Sequence, residues 1–365
     1  NAHGAPGNYF FPYDGDWLIP STGLRAKWNV LPDGSPGEYL TDRLTDEAVK
    51  FIRESRNQPF FLYFPHYGVH TPLQAKAELV AKYDRIPPAE RQGKPVYAAM
   101  VESIDQSVGR VMAALQELEL QQNTLVIFTS DNGGFYNATS NAPLRANKGA
   151  YYEGGIRVPL IICWPGVAKP GLVVSDPVTS TDLYPTCLAA AGLPLRPHQH
   201  PDGVSLQSLL SQTGPLPSRS LFWHFPHYND HPSSLPSSVV RSGPWKLIET
   251  FDPEGVELYH LGNDLSETEN LASVMPAKLN ELRQVLERWR ADVGAERMLP
   301  NPQVCCERCC LVERFAKKNA SQWRCARLIH QAANPSAATQ LGEFRRSLLP
   351  GYCARGSHRR CENRW

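Results

Sequence analysis

The sequence predicts an α/β fold: a mixed sheet covered by helices, followed by a small C-terminal antiparallel sheet with one helix. Three observations carry this. Short, continuously apolar runs at Phe60–Phe64, Thr124–Thr129 and Val158–Cys163 read as buried strands. Stretches with apolar residues at helical spacing separate them. After about residue 215 the pattern changes to short strands broken by turn residues.

Residues 1–40 are rich in Gly, Pro, Asn and Asp, have no sustained period and read as loop. Leu44, Ala48, Phe51 and Ile52 then mark one helical face, with Thr41 as its cap and Pro59 beyond its end. The Phe60–Phe64 strand and a polar stretch follow. Ile104, Val108, Val111, Leu115 and Leu118 define a second helix within about residues 95–120. The Thr124–Thr129 strand comes next, then Val158–Cys163, whose Pro159 marks a strand start or an edge. Residues 180–191 read as a helix, with Ser180 or Thr181 at the cap, Pro185 in the first turn and Gly192 past the end. Ser220–Phe225, Ser237–Arg241, Trp245–Thr250 and Val256–His260 form an antiparallel meander, with a tight turn at Gly243-Pro244. A last helix begins near Pro276 and carries Leu279, Leu282, Leu286, Trp289 and Val293 on one face.

Composition bounds the function. The 365 residues are 42% hydrophobic and 20% charged, enough for a core and against wholesale disorder. Pro is high at 32 residues, which argues for a loop-rich body over a coiled coil. No run approaches the roughly 18 apolar residues of a membrane span. The net charge of +1 hides an asymmetry: residues 301–365 hold 12 Lys and Arg against 4 Asp and Glu, and residues 1–300 hold 25 against 32. Seven of the nine cysteines also follow residue 300, leaving Cys163 and Cys187 before it. Four parts are expected: a loop-rich segment 1–40, an α/β core 41–215, a small α+β subdomain 216–300 and a basic, Cys-rich tail 301–365. Cys306 and Cys309 make one C-x-x-C, but Cys325, Cys353 and Cys361 supply no matching pair for zinc. The tail is expected to be a poorly ordered extension, with disulfide or zinc chemistry as the alternative. Arginines such as Arg359 and Arg360 make only salt-sensitive, nonspecific contacts, so no nucleic-acid partner is expected.

The chemistry concentrates in loops beyond the strands, where open α/β sheets bind ligands. Asp131 and Asn132, in Ser130-Asp131-Asn132-Gly133-Gly134, offer two adjacent oxygen donors of the kind Ca²⁺ or Mg²⁺ takes. The same residues, taken alone, read first as a turn. Lys148, followed by Gly149, can approach an anion as a compact charge, although most loop lysines are simply solvated. His70 follows the first strand, where it can bind an anion, act as an acid, or be an ordinary loop residue.

Taken in order, these segments resemble the type I sulfatase family (arylsulfatase-like). The likeness runs through Pro59-Phe60-Phe61-Leu62-Tyr63, His70-Thr71-Pro72, Thr129-Ser130-Asp131-Asn132-Gly133, Pro143-Leu144-Arg145, Lys148-Gly149 and Glu153-Gly154-Gly155. It continues through Arg157-Val158-Pro159, Ser180–Thr186, Trp245-Lys246-Leu247-Ile248, Glu257-Leu258-Tyr259 and Glu269-Asn270-Leu271-Ala272, covering about residues 38–300. The resemblance implies an alkaline-phosphatase-like fold and hydrolysis of aryl or carbohydrate sulfate esters at a site holding one divalent cation, usually Ca²⁺. It implies that Asp131 and Asn132 are metal ligands, and that His70 and Lys148 contact the sulfate and help the leaving oxygen depart. A dication, a lysine and a histidine aimed at the sulfuryl and bridging oxygens would stabilise the charge that develops there. His224 and His227, in His224-Phe225-Pro226-His227-Tyr228, resemble a segment near the substrate mouth of some relatives, and also read as an aromatic strand edge.

The sequence also departs from the family. The nucleophile there is a formylglycine made from Cys or Ser in a Cys/Ser-x-Pro-x-Arg motif, and no such motif occurs here; Cys163-Trp164-Pro165-Gly166-Val167 lacks the Arg. The early Asp-Asp metal pair and the Gly-Lys-Trp-type segment are absent too. With Asn1 opening the chain without a leader, the expectation is a C-terminal portion of a sulfatase that binds metal poorly and does not turn over. Relatives are usually exported, so a periplasmic or secreted protein is expected. Two other classes stay open: a phosphoester hydrolase of the same superfamily, which would want a second metal, and an inactive scaffold or carbohydrate-binding derivative.

Overall fold

A computed structural model describes residues 6–13, 17–18, 25–26, 31, 33–229 and 231–299. The expectations for residues 301–365 lie outside the described residues. Residues Asn1–Glu296 make one compact unit. Two-residue strands β1 (Trp17–Leu18) and β2 (Arg25–Ala26) pair antiparallel within the first segment. The other described residues before α1 lie in turns and irregular structure apart from a Phe10–Tyr39 bridge, and they are anchored by a core. Tyr9, Tyr13, Tyr39, Leu40 and Met100 are buried together, with Leu44, Tyr67, Val69 and Leu73 packed around them.

Three helices follow. Helix α1 (Leu40–Glu54) and helix α2 (Ala77–Asp84) both pack on helix α3 (Pro95–Glu117). The α1 cap is Tyr39 rather than Thr41. Thr41 lies inside the first turn and is buried; its carbonyl accepts the Thr45 hydroxyl at 2.6 Å. Pro95 opens α3, where its missing N–H leaves no bond unmade. Strands β3 (Val126–Thr129) and β4 (Leu160–Cys163) pair antiparallel, with Phe128 opposite Ile161. Pro159 stands just before β4, at the strand start its chemistry allows.

Phe60–Phe64 departs from the expected buried strand. It carries no ladder pairing among the described residues, and it alternates. Phe61 and Tyr63 are 74% and 77% exposed, while Phe60, Leu62 and Phe64 are half-buried. A continuous apolar run shows that both faces could be covered; the structure covers one.

Short helix α4 (Glu153–Ile156) follows the 145–152 turn. Helix α5 (Leu183–Ala190) is entered through a 3₁₀ turn at Ser180–Asp182. That turn is closed by a capping box between Thr179 and Asp182, one residue before the expected Ser180. Gly192 follows with φ +66°, a left-handed C-terminal stop. Asp182 is fully buried and takes the Arg219 guanidinium on both oxygens. Helix α6 (Gln207–Leu210) is a single turn.

The C-terminal sheet is the expected meander. Strands β5 (Ser220–Phe225), β6 (Ser237–Ser242), β7 (Trp245–Phe251) and β8 (Glu254–His260) lie in sequence order, all antiparallel. Helix α7 (Pro276–Asp292) lays Leu279, Leu282 and Leu286 on Val240, Leu247 and Leu258. Each such fully buried leucine contributes about 2 kcal/mol of transfer free energy. The Phe222 and Trp289 rings stack at 4.7 Å across the same contact. The opposite face presents Val239, Ile248 and Tyr259 to Tyr151 and Tyr152. The sheet therefore has two covered faces, and the second is covered by the turn that follows Lys148. Among the described residues no helix is long and apolar enough to cross a membrane.

Candidate active site

The site begins where β3 ends. Asp131 is exposed and Asn132 half-buried in the loop after Thr129. The Ser130 hydroxyl donates to the Asn132 carbonyl at 3.0 Å, which tightens this loop. The Gly133 N–H donates to the Gly155 carbonyl at 2.9 Å. A Cβ on Gly133 would stand 1.8 Å from the Gly154 carbonyl oxygen, so only glycine allows this approach.

The same loop receives Lys148, whose backbone N–H donates to the Gly134 carbonyl at 3.0 Å. Asn141 clips the arrangement. Its Oδ1 accepts the Gly134 N–H at 3.1 Å, and its Nδ2 donates to the Gly134 and Ala146 carbonyls at 3.2 Å each. The Gly154 N–H closes back onto the Arg145 carbonyl at 2.8 Å. Asp131, Asn132 and Lys148, separated in sequence, thus stand on two loops knotted backbone to backbone.

His70 lies on the loop after Phe60–Phe64. The Tyr9 hydroxyl proton points between the Tyr67 and His70 carbonyls, at 2.7 and 2.9 Å. Burial holds the Tyr9 phenol far above its usual pKa, so it remains a donor. The His70 Nδ1 donates to the Thr71 carbonyl at 2.9 Å, which leaves Nε2 as the outward nitrogen. Both loops rest on α3. Gly68 faces Ile104 and Gly134 faces Tyr97. Those contacts are two helical turns apart, about 10 Å along the axis.

His224 lies in β5 of the C-terminal sheet and His227 in the bend just after it. The His224 Nε2 donates to the Glu296 carbonyl at 2.7 Å, and Nδ1 accepts from the Ser238 hydroxyl at 2.5 Å. Its ring meets Phe251 and Trp289. Both nitrogens are engaged within that unit. His227 is exposed, edge-on to Phe225.

Sequence reasoning missed two neighbours of this site. One is Asn141, which no local pattern marks. The other is His231, whose ring lies over Gly149, where a Cβ would come within 2.7 Å of it, and edge-on to Phe135 at 6.0 Å. Its sequence signal was only a histidine in a polar loop.

The oxygens of Asp131 and Asn132 suit a hard cation in kind. In number they are two, against the six to eight that Ca²⁺ takes. Among the described residues no group of three or more His, Cys, Asp or Glu could hold a metal ion. The two residues therefore fit part of a coordination shell.

Residues 6–193 match the family model described as Sulfatase, and residues 146–292 match the one described as N-sulphoglucosamine sulphohydrolase, C-terminal. A sulfatase of Formosa agariphila is 40% identical over 295 residues, 74% of this chain and 53% of that protein. Human arylsulfatase A is 34% identical over 271 residues, 66% of this chain and 50% of its own length. The solved structure of Ps i-CgsB in complex with k-i-k-neocarrahexaose superposes with a TM-score of 0.63 at 32% identity, covering 77% of this chain and 63% of that one. The chain spans about half the length of the curated relatives it matches. The two family models overlap over residues 146–193, a stretch that includes Lys148. With its Asp131, Lys148 and Glu153 segments in the family's order and folded against one another, the chain belongs to the sulfatase family.

Proposed function

We propose that this chain carries the sulfate-facing loops of a hydrolase of aryl or carbohydrate sulfate esters. The observation that supports it most is the backbone knot that seats Lys148 against the Asp131–Asn132 loop. In this reading the Lys148 ammonium binds the sulfuryl oxygens as a compact charge. His70, doubly protonated, hands the Nε2 proton to the departing ester oxygen, while its Nδ1–H stays on the Thr71 carbonyl. Asp131 and Asn132 supply two ligands to one divalent cation, read as Ca²⁺ from the family resemblance. When bound, that ion neutralises charge on the sulfuryl oxygens. A solved relative in complex with a neocarrahexaose supports a saccharide as the alcohol half of the ester. Family membership also supports export, to a periplasm or beyond the cell.

The sequence holds no Cys/Ser-x-Pro-x-Arg from which the formylglycine nucleophile is made. Binding is therefore the readout, and this chain is expected to show no turnover of 4-nitrophenyl sulfate. Inorganic sulfate should titrate the protein, and Lys148→Ala should weaken that binding about tenfold or more, the worth of a charge-assisted hydrogen bond. A Lys148→Ala protein that binds sulfate as tightly as the parent would contradict the assignment.

A further inference from the structure

Lys246 is fully buried as the second residue of β7, an unusual place for a lysine. It points to the sheet face that meets the 145–155 turn. Its ammonium lies 3.0 Å from Glu153 Oε1 and 2.8 Å from Glu267 Oε1, and both glutamates are buried. Glu267 Oε2 accepts the Glu153 backbone N–H at 2.6 Å. Arg241 and Arg157 stand 3.6 and 3.7 Å from Glu153 Oε2. At the other end of the turn, Arg145 donates to the Glu267 carbonyl at 2.8 Å and the Tyr259 hydroxyl at 2.7 Å. Its guanidinium lies 3.8 Å above the Tyr152 ring. The turn is thus bolted to the C-terminal sheet at residues 145 and 153, and Lys148 lies between the bolts.

A buried ion cluster is seldom more stabilising than apolar packing of the same volume. Val239 and Ile248 beside it show that apolar side chains suit this face. What the charges add is directional: two carboxylates meet one ammonium in a single arrangement. That arrangement fixes Glu153, hence Gly154 and Gly155, hence the Gly155 carbonyl that takes the Gly133 N–H.

We propose that Lys246 is a positioning residue for Lys148: through Glu153 and Glu267 it fixes the turn that holds Lys148 against the Asp131–Asn132 loop, so the C-terminal sheet is part of the sulfate site. The inference rests on the reading of Lys148 given above. It extends that reading to a residue that touches no substrate.

The test uses the full chain, with Lys246→Met and Glu267→Gln as variants and Lys148→Ala as the control. Two quantities are read: affinity for inorganic sulfate, and amide hydrogen exchange at Gly133 and Lys148 compared with β6 and β7. Lys246→Met should weaken sulfate binding and speed exchange at Gly133 and Lys148, each by about tenfold or more, with exchange in β6 and β7 much less affected. Lys148→Ala should lose sulfate while Gly133 stays protected. Glu267→Gln keeps the size and one acceptor oxygen; it should give the same pattern in weaker form, and it decides the matter if Lys246→Met does not fold. Sulfate affinity within twofold of the parent, or exchange rising equally in the turn and in the sheet, would overturn the proposal. A parent that binds no sulfate would defeat the reading of Lys148 alone, because the exchange comparison still decides whether Lys246 holds the turn.

Discussion

His66 and His70 stand four residues apart on one loop, and His66 is tied into a chain of buried hydroxyls. The Thr45 hydroxyl spends its proton on the Thr41 carbonyl, so at 2.6 Å it must accept from Ser107. Ser107 has then spent its own proton, so at 2.8 Å it must accept from His66 Nε2. Burial holds the His66 imidazole down to about 4, against the usual 6.5. The unfolded chain therefore takes up a proton at a higher pH than the folded one, and stability falls as pH drops from 6.5 to 4. The full loss is about 3 kcal/mol. In urea unfolding across that range, His66→Gln should flatten the dependence; an unchanged slope would place the titrating group elsewhere. The sequence marked His70 through its neighbours Thr71 and Pro72 but gave His66 no role. What sets His66 apart is its chain of hydroxyls through Ser107 to Thr45, which is not written locally.

At the scale of elements, legibility follows the range of the interactions. The C-terminal meander was readable because each strand pairs with the next across a short turn. Helix α3 was readable from its own apolar face. Helix α2 was missed because it buries one residue, Leu79, and leaves little periodicity to see. The α1 cap fell two residues before Thr41 and the capping box ahead of α5 one residue before Ser180, because backbone geometry decides where the helical turn begins. Phe60–Phe64 was read as a strand covered on both faces, but a ladder needs a partner, which a local pattern cannot supply. Helix α3 also offers a direct test of its own energetics. Gly109 sits exposed in its interior with open space where a Cβ would go. Gly109→Ala should therefore raise stability by about 0.5–1 kcal/mol in chemical denaturation. A destabilised variant would mean that Gly109 has a packing role the structure does not show.

Across the whole molecule, the candidate site is assembled by contacts that no window of sequence contains. Asp131, Asn132 and Lys148 could be named from their motifs, and the motif order pointed to the family. The letters did not reveal why the glycines are needed: Gly133, Gly154 and Gly155 let two backbones touch. Nor did they reveal that Lys246, 93 residues from Glu153, anchors the turn between them. Such long-range pairing is decided by packing the C-terminal sheet on the turn, a tertiary event. In the proposed site one anion is met by both loops. The most direct measurement is a titration with inorganic sulfate, followed by the backbone amide chemical shifts of Asn132, Gly133, Gly134 and Lys148. All four should move along one saturation curve with one affinity. Shifts confined to a single loop, or curves with different midpoints, would contradict it.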